Sequence, residues 1–309
     1  MEIQNNPNKL IRVIFTPIIW ITKFIGRNCP EFLMKIRYFV RFKKRLNLEN
    51  PKTLNEKILY MSLRTDTTLW TRLADKYNVR GYVEECGLSD ILVPLLGHWE
   101  KAEEIDFMQL PDSFVFKTVQ GSGDIILVKD KSQIIKEEIR KQLEISVNTV
   151  YGDLEGGKHY MRIKPAIIAE ELMKNDEVSE KYSTSIIDYK IWCFNGKAHY
   201  IWACCNRDHQ GTDVMTYDLN WSALPEYSVF NEHYREGNVL PKPQNFERMV
   251  EVAEKLAKPF PVVRVDLYNL AGKIYFGEMT FTSLGGLMDF YTDDFQHLAG
   301  SLIDINYKG

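Results

Sequence analysis

The chain has 309 residues, 45% of them hydrophobic and 26% charged, with a net charge of −3. That is length for two ordinary domains or one two-lobed one, with apolar side chains enough for a sizeable core. A disordered chain, a collagen-like repeat and a disulfide-stapled miniprotein are excluded. The bulk charge makes no case for nucleic acid, but it is unevenly spread. Residues 1–46 hold ten Lys/Arg against Glu2 and Glu31, so this segment is +8 and the remainder −11. The five cysteines (Cys29, Cys86, Cys193, Cys204, Cys205) form no C-x-x-C pair and are odd in number. They read as free thiols of a reducing cytoplasm.

Residues 10–25, LIRVIFTPIIWITKFI, are interrupted by Arg12, Pro17 and Lys23. Sixteen residues fall short of the roughly 20 that a membrane span needs, and no small-residue cleavage site follows. What remains is an amphipathic element, followed by the basic stretch Lys35, Arg37, Arg41, Lys43, Lys44 and Arg45. Two readings fit. Residues 1–46 dock peripherally on an anionic leaflet, each basic residue adding about 1 kcal/mol near the surface. Alternatively they pack as a helical pair on the protein's own core with their charges solvated.

No internal repeat or low-complexity linker divides residues 47–309. Thr53-Leu-Asn-Glu56 is a capping box and starts a helix carrying Ile58, Leu59 and Met61. A second helix is expected over 68–85, with Leu69, Leu73, Tyr77 and Val79 near one face. Short extended runs follow at 113–117, 125–128 and 166–170. The strongest hairpin signal joins 189–194 to 197–202 through Asn195-Gly196. Another joins 262–268 to 273–280 through Ala271-Gly272. An amphipathic helix, marked by Phe246, Met249, Val250, Ala253 and Leu256, lies between the hairpins. Hairpins alternating with helices predict an α+β fold with largely antiparallel sheets. No G-x-G-x-x-G follows a strand, which speaks against a Rossmann domain.

Three stretches carry candidate chemistry. Lys117 ends a strand and runs into Gly121-Ser122-Gly123, which reads either as a backbone cradle for phosphate or as a plain hairpin turn. It is not a Walker A loop. Glu170-Glu171-Leu172 leaves an apolar strand and offers groups to a purine edge, or is simply a charged exit. Asp266 and Glu278 lie on the two strands of one hairpin, each among apolar neighbours. Period-2 alternation puts Asp266 with Arg264 and Tyr268, and Glu278 with Thr280 and Thr282. On a shared face the two acids suit Mg²⁺; ion pairing to Arg264 or exposed hairpin charge are the other readings, and the apolar setting favours the metal. Lys76, placed on the second helix, and Lys190, opening the first hairpin, each read alone as surface charges.

In order along the chain, these features resemble the ATP-grasp superfamily, and more specifically the TupA-like ATP-grasp family. The matching stretches are Leu54-Asn-Glu-Lys-Ile, Leu73-Ala-Asp-Lys-Tyr-Asn-Val-Arg-Gly-Tyr-Val, Pro94-Leu-Leu-Gly and Phe116-Lys-Thr-Val-Gln-Gly-Ser-Gly. Asp188-Tyr-Lys-Ile-Trp-Cys-Phe-Asn-Gly-Lys, Val263-Arg-Val-Asp and Gly272-Lys-Ile-Tyr-Phe-Gly-Glu-Met-Thr-Phe-Thr complete them, over roughly residues 47–300. The resemblance implies an ATP-grasp fold of two α+β lobes, 47–172 and 173–309, clamping ATP behind a helical N-terminal segment. It implies that Lys76, Lys117 and Lys190 neutralise ATP phosphates and that Gly121, Ser122 and Gly123 form a flap over them. Glu170, Glu171 and Leu172 resemble the hinge at adenine. Asp266, Glu278 and Thr280 resemble the Mg²⁺ ligands, Thr280 standing where the family has asparagine. Lys117, Lys190 and Arg264 are the implied catalytic residues, with Arg207 and Arg264 holding an anionic substrate. The Trp192, Trp202 and Trp221 region is either a sugar platform or ordinary core.

The implied reaction is ADP-forming carboxylate–amine ligation through an acyl phosphate. The family's association with bacterial surface polysaccharides points to a uronic acid-containing glycan and an amino acid or amine as partners, with no nucleic acid. The implied place is the cytoplasm, at the inner face of the membrane if residues 1–46 dock there. Rival readings are a glycosyltransferase, against which the lack of a D-x-D motif at a strand end speaks, a phosphotransferase on the same fold, and a non-catalytic nucleotide-binding scaffold.

Overall fold

The computed structural model describes residues 7–309 except Ser122, with side chains from residue 18 onward. Ser122 of the glycine loop therefore lies outside the described residues, as do residues 1–6 of the basic segment. Two helices open the chain, α1 (Pro7–Asn28) and α2 (Pro30–Phe42). Pro30 at the first position of α2 suits a helix start, where its missing N–H is not needed. Next comes α3 (Leu54–Arg64), and the capping box is present as expected: Thr53 accepts from the Glu56 amide and Glu56 from the Thr53 amide.

The helix expected over 68–85 is instead two, α4 (Thr68–Ala74) and α5 (Val79–Glu85). The cause is Asp75. Its Oδ1 accepts from the amides of Tyr77 (2.8 Å) and Asn78 (3.0 Å), and its Oδ2 from the Asn78 side chain (2.6 Å). This turn competes with the helical ladder and puts Lys76 in the break rather than on a helix.

The strands form two sheets. The smaller contains β1 (Leu95–Trp99), β2 (Phe114–Thr118), β3 (Ile126–Val128) and, after α6 (Lys136–Val147) and α7 (Lys158–Met161), β4 (Ile167–Glu171). Its order is β1-β4-β2-β3, all antiparallel. Phe114, Phe116, Ile167 and Ala169 pack on Ile139 and Leu143 of α6. The larger sheet takes β5 (Asp188–Phe194), β6 (Lys197–Cys205), β7 (Thr212–Tyr217), β8 (Tyr234–Glu236) and, after α8 (Phe246–Ala257), β9 (Val262–Leu270) and β10 (Lys273–Thr280). Its order is β10-β9-β5-β6-β7-β8, antiparallel except for the β7–β8 pair. Helix α9 (Asp293–Ser301) follows.

Both predicted hairpin turns are present. Asn195 and Gly196 have φ of 49° and 73°, and Ala271 and Gly272 have 49° and 85°, the left-handed pair that matches strand twist. Alternation then divides the larger sheet. Val263, Val265 and Leu267 are fully buried in one core with α8 residues such as Met249, Val252 and Leu256. Arg264, Asp266 and Tyr268 point the other way. Leu54, Ile58, Leu73 and Val83 of α3, α4 and α5 belong to the same core as the larger sheet.

Candidate active site

Hydrogen-bond register sets polar residues side by side across the larger sheet. Glu278 faces Asp266, Asp266 faces Lys190, and Lys190 faces Trp202. In the next rung Thr280 faces Arg264, and Arg264 faces Trp192. Plain alternation would not have done this. Up to Phe276, which faces Leu267, the register would pair Gly277 with Asp266 and send Glu278 to the opposite, core-facing side. A bulge between Phe276 and Glu278 adds one residue and returns Glu278 to the face of Asp266. Gly277 suits it, because a Cβ there would lie 2.9 Å from the Asp266 carbonyl oxygen.

Asp266 is the hub. Its Oδ2 accepts from Lys190 Nζ at 2.5 Å and from Arg264 Nη2 at 2.7 Å, and its Oδ1 from Arg264 Nε at 2.7 Å. Arg264 also donates to Ser283 Oγ (2.6 Å) and Thr280 Oγ1 (3.1 Å). Thr280 in turn donates to Glu278 Oε1 at 3.1 Å. Burial alone would raise the Asp266 carboxyl, but Arg264 and Lys190 outweigh it and hold the pKa down to about 2. Burial likewise works against the Lys190 ammonium; Asp188 and Asp266 overcome it and raise its pKa. Asp188, which the sequence reading missed although it stands two residues before Lys190 on the same face, holds Lys190 at 2.6 Å. Its own pKa is raised by burial, and Arg207 approaches it at 3.4 Å.

The smaller sheet carries a second charged group. Lys117 Nζ lies 2.7 Å from Glu170 Oε2, and Arg80 of α5 lies 3.1 Å from the other oxygen. Glu171 is exposed at the end of β4 and Leu172 is half-buried beyond it. Lys76 joins the two regions. Its amide donates to the Val119 carbonyl (3.1 Å) and its ammonium to the Gly121 carbonyl. Burial lowers its pKa, partly offset by Glu278 of the larger sheet and by Asp124 and Glu170 of the smaller. Gly121 is closely surrounded, since a Cβ there would meet the Asp124 carboxylate and the Thr118 hydroxyl. Asp124 was also missed: only its bond to Thr118 across the loop reveals it.

A cleft of about 480 Å³ opens over the polar face. Of the predicted residues, Lys76, Gly121, Gly123, Lys190, Arg207, Arg264, Glu278 and Thr280 line it. Asp266 is buried beneath; Lys117, Glu170, Glu171 and Leu172 stand outside that lining. The tryptophans separate. Trp192 is buried, donating to Tyr291 Oη at 2.8 Å, and Trp221 donates to the Leu240 carbonyl at 2.8 Å. Trp202 borders the cleft but is likewise buried, stacked on Phe290 with ring centroids 4.4 Å apart.

A match to a family model gives the class of this two-sheet protein: it is an ATP-grasp protein. More particularly, residues 56–304 match the TupA-like ATP-grasp family, and the chain belongs to it. No curated protein matches the sequence. Among solved structures it is similar to the D-alanine–D-alanine ligase of Bacillus anthracis complexed with ATP, at 16% identity and TM-score 0.40, over 68% of this chain and 55% of that one. It is also similar to the Helicobacter pylori D-alanine–D-alanine ligase (14%, TM-score 0.42, 82% of this chain and 70% of that one). A third is the L-amino acid ligase of Bacillus licheniformis (14%, TM-score 0.42, 82% and 52%). The chain thus spans little more than half the length of the first and third.

The donor set fits a magnesium ion. Asp266, Glu278 and Thr280 offer hard oxygens on neighbouring strands, and Glu278 is half-exposed toward the cleft. Among the described residues no cluster of three or more His, Cys, Asp or Glu forms a metal cage. Asp266 is ion-paired to Arg264 and Lys190, which was the other reading of this hairpin, and Glu278 is the carboxylate open to the cleft.

Proposed function

We propose that this protein is an ATP-dependent ligase that joins an amino acid, through its amine, to the hexuronic acid carboxylate of a bacterial surface polysaccharide. The observation that carries the reading is the gathering of Lys76, Lys190 and Arg264 opposite Asp266, Glu278 and Thr280 around one cleft. Phosphoryl transfer needs alignment and charge neutralisation more than a protein nucleophile. A uronate oxygen attacks the γ-phosphorus of ATP and ADP leaves, giving an acyl phosphate. The amine nitrogen then attacks the acyl carbon, loses a proton and expels phosphate, leaving the amide.

In this scheme Lys76, Lys117 and Lys190 neutralise the phosphates, and Glu170, Glu171 and Leu172 face adenine. Gly121, Ser122 and Gly123 close over the phosphates, keeping water from the acyl phosphate. Asp266, Glu278 and Thr280 hold Mg²⁺, which when bound offsets phosphate charge. Arg264 keeps its fork on Asp266 and orients that carboxylate beside the reacting groups. Arg207, whose side chain is 55% exposed and whose contact to Asp188 is long, turns to the uronate carboxylate, a bidentate match for guanidinium. The polysaccharide class follows the family resemblance. With it goes a place of action in the cytoplasm at the inner face of the membrane.

Product analysis tests this. The protein is incubated with Mg-ATP, a uronic acid glycoside and a pool of amino acids. ADP with a glycoside mass gain of one amino acid less water is expected. Phosphorylated sugar without amide points to a phosphotransferase, and release of UDP from a nucleotide-sugar to a glycosyltransferase. Arg207→Ala is expected to raise KM for the uronate about tenfold or more and to leave KM for ATP unchanged; the reverse pattern removes Arg207 from the acceptor site.

A further inference from the structure

Among the described residues, a run of exposed apolar side chains lies on α1 and α2. Ile18, Ile19, Trp20, Ile21 and Phe24 of α1 stand 45–72% exposed, and Phe32, Ile36, Phe39 and Val40 of α2 stand 45–61% exposed. The α2 set recurs at i, i+4, i+7 and i+8, one stripe of a helix. Leu33, Met34 and Tyr38, from the rest of the same helix, are buried against Leu46, Leu48, Leu59 and Leu287. Helix α2 is therefore apolar on two faces, and among the described residues only one of them has a partner. Single exposed apolar side chains are ordinary, but a patch running over two consecutive helices marks an interaction surface.

The pair is a fixed platform. A Cβ at Gly26 would collide with the Asp153 carbonyl, so α1 seats there closely. Arg27 lies 2.7 Å from the buried Asp153 carboxylate, and Arg37 donates to the Leu154 carbonyl at 2.5 Å. Beside the apolar patch stand Lys35, Arg41, Lys43, Lys44 and Arg45, all exposed. Lys35 holds Glu31 within the segment, and Arg41 and Lys44 hold Asp289 and Asp293 from outside it; the formal charge of residues 1–46, +8, exceeds the acids set against it.

We propose that the outward face of α1 and α2 rests in the headgroup region of an anionic lipid leaflet, both helices lying in its plane. The charge chooses between occupants. A second copy of this chain on the same face would set two basic segments against each other, whereas an anionic leaflet supplies the opposite charge and an apolar depth of roughly 5–10 Å. Among the described residues no helix is long and apolar enough to cross a membrane. Trp20, 72% exposed, is the residue type that settles at a lipid–water boundary. This contact is independent of the chemistry in the cleft.

Sedimentation of the full chain with phosphatidylcholine vesicles, with and without phosphatidylglycerol, tests it. Binding about tenfold or more tighter to the anionic vesicles is expected, the work of one or two basic residues at such a surface. It should weaken with salt, and the paired change Trp20→Ala, Phe24→Asp should abolish it while the melting temperature holds. Absence of binding to either vesicle, or equal binding by the paired variant, overturns the proposal. So does a dimer, seen by ultracentrifugation, that the paired variant dissolves, because the face then belongs to a second copy. ADP formation without lipid, measured on the same samples, keeps failure here distinct from failure of the ligase reading.

Discussion

Both sheets hold a strand lysine against a carboxylate on the neighbouring strand, and the two couples are built differently. Lys117 and Glu170 sit on the smaller sheet with Lys117 19% exposed, and Glu170 divides itself between Lys117 and Arg80. On the larger sheet Lys190 and Asp266 are directly opposed, both buried, and Arg264 grips Asp266 by both oxygens. A shared acid can release its lysine to an incoming anion and keep Arg80 as its partner. A doubly gripped, buried acid cannot be vacated without leaving two cations unpaired in a poorly solvated place. The difference separates a residue pair available to ligand from a framework that fixes direction and charge beforehand.

The sharpest way to break this comparison is Asp266→Asn. Removing the charge leaves Arg264 and Lys190 uncompensated, so denaturant unfolding should show a loss of about 3–5 kcal/mol and ligation should cease. A loss no larger than that of an exposed pair would deny the framework. Acid sensitivity comes next and should also track the larger sheet. Buried His159 lies 3.4 Å from Thr282, just beyond β10, and burial lowers its pKa to about 3. The unfolded chain therefore takes up this proton first as pH falls below about 6.5. The contribution is intact above that value and drains away toward pH 3, by an expected few kcal/mol. His159→Phe should flatten the pH dependence of stability over that window; identical slopes would discard the assignment. The smallest expected effect on stability is at the other sheet. Lys117→Ala should cost about 1 kcal/mol in unfolding, yet weaken ATP binding about tenfold in a titration. A large loss of stability with unchanged ATP affinity would invert the roles of the two couples.

Sequence made the hairpins legible because their information is local. Asn195-Gly196 and Ala271-Gly272 prescribe left-handed turns, and alternation then tells which strand residues share a face. Arg264 with Asp266, and Glu278 with Thr280, follow from that. The split between α4 and α5 escaped, though Asp75 and Asn78 stood in plain view, because an aspartate turn and a helix interior differ only in which partner the Asp75 carboxylate finds. Lys76 was thereby recognised as a residue but placed on a helix: its position between the two sheets depends on that break and on Val119 and Gly121, over forty residues away. Asp124 carried no spacing signal. Strand β1 is short, pairs only with β4 and is irregular between Leu95 and Gly97, so no clean alternation announced it.

The bulge at Gly277 gives β10 something like a reading frame. Upstream of it, residues are read onto one set of faces; downstream, every side chain is read onto the other. Straightening the bulge, with Gly277 drawn into regular pairing opposite Asp266, would leave Glu278 and Thr280 unaltered in chemistry and yet turn both toward the apolar core, trading places with Met279. What equips the cleft is therefore partly a matter of count. A slip of one place, at a position that contributes no side chain, would be read as loss of both oxygens at once.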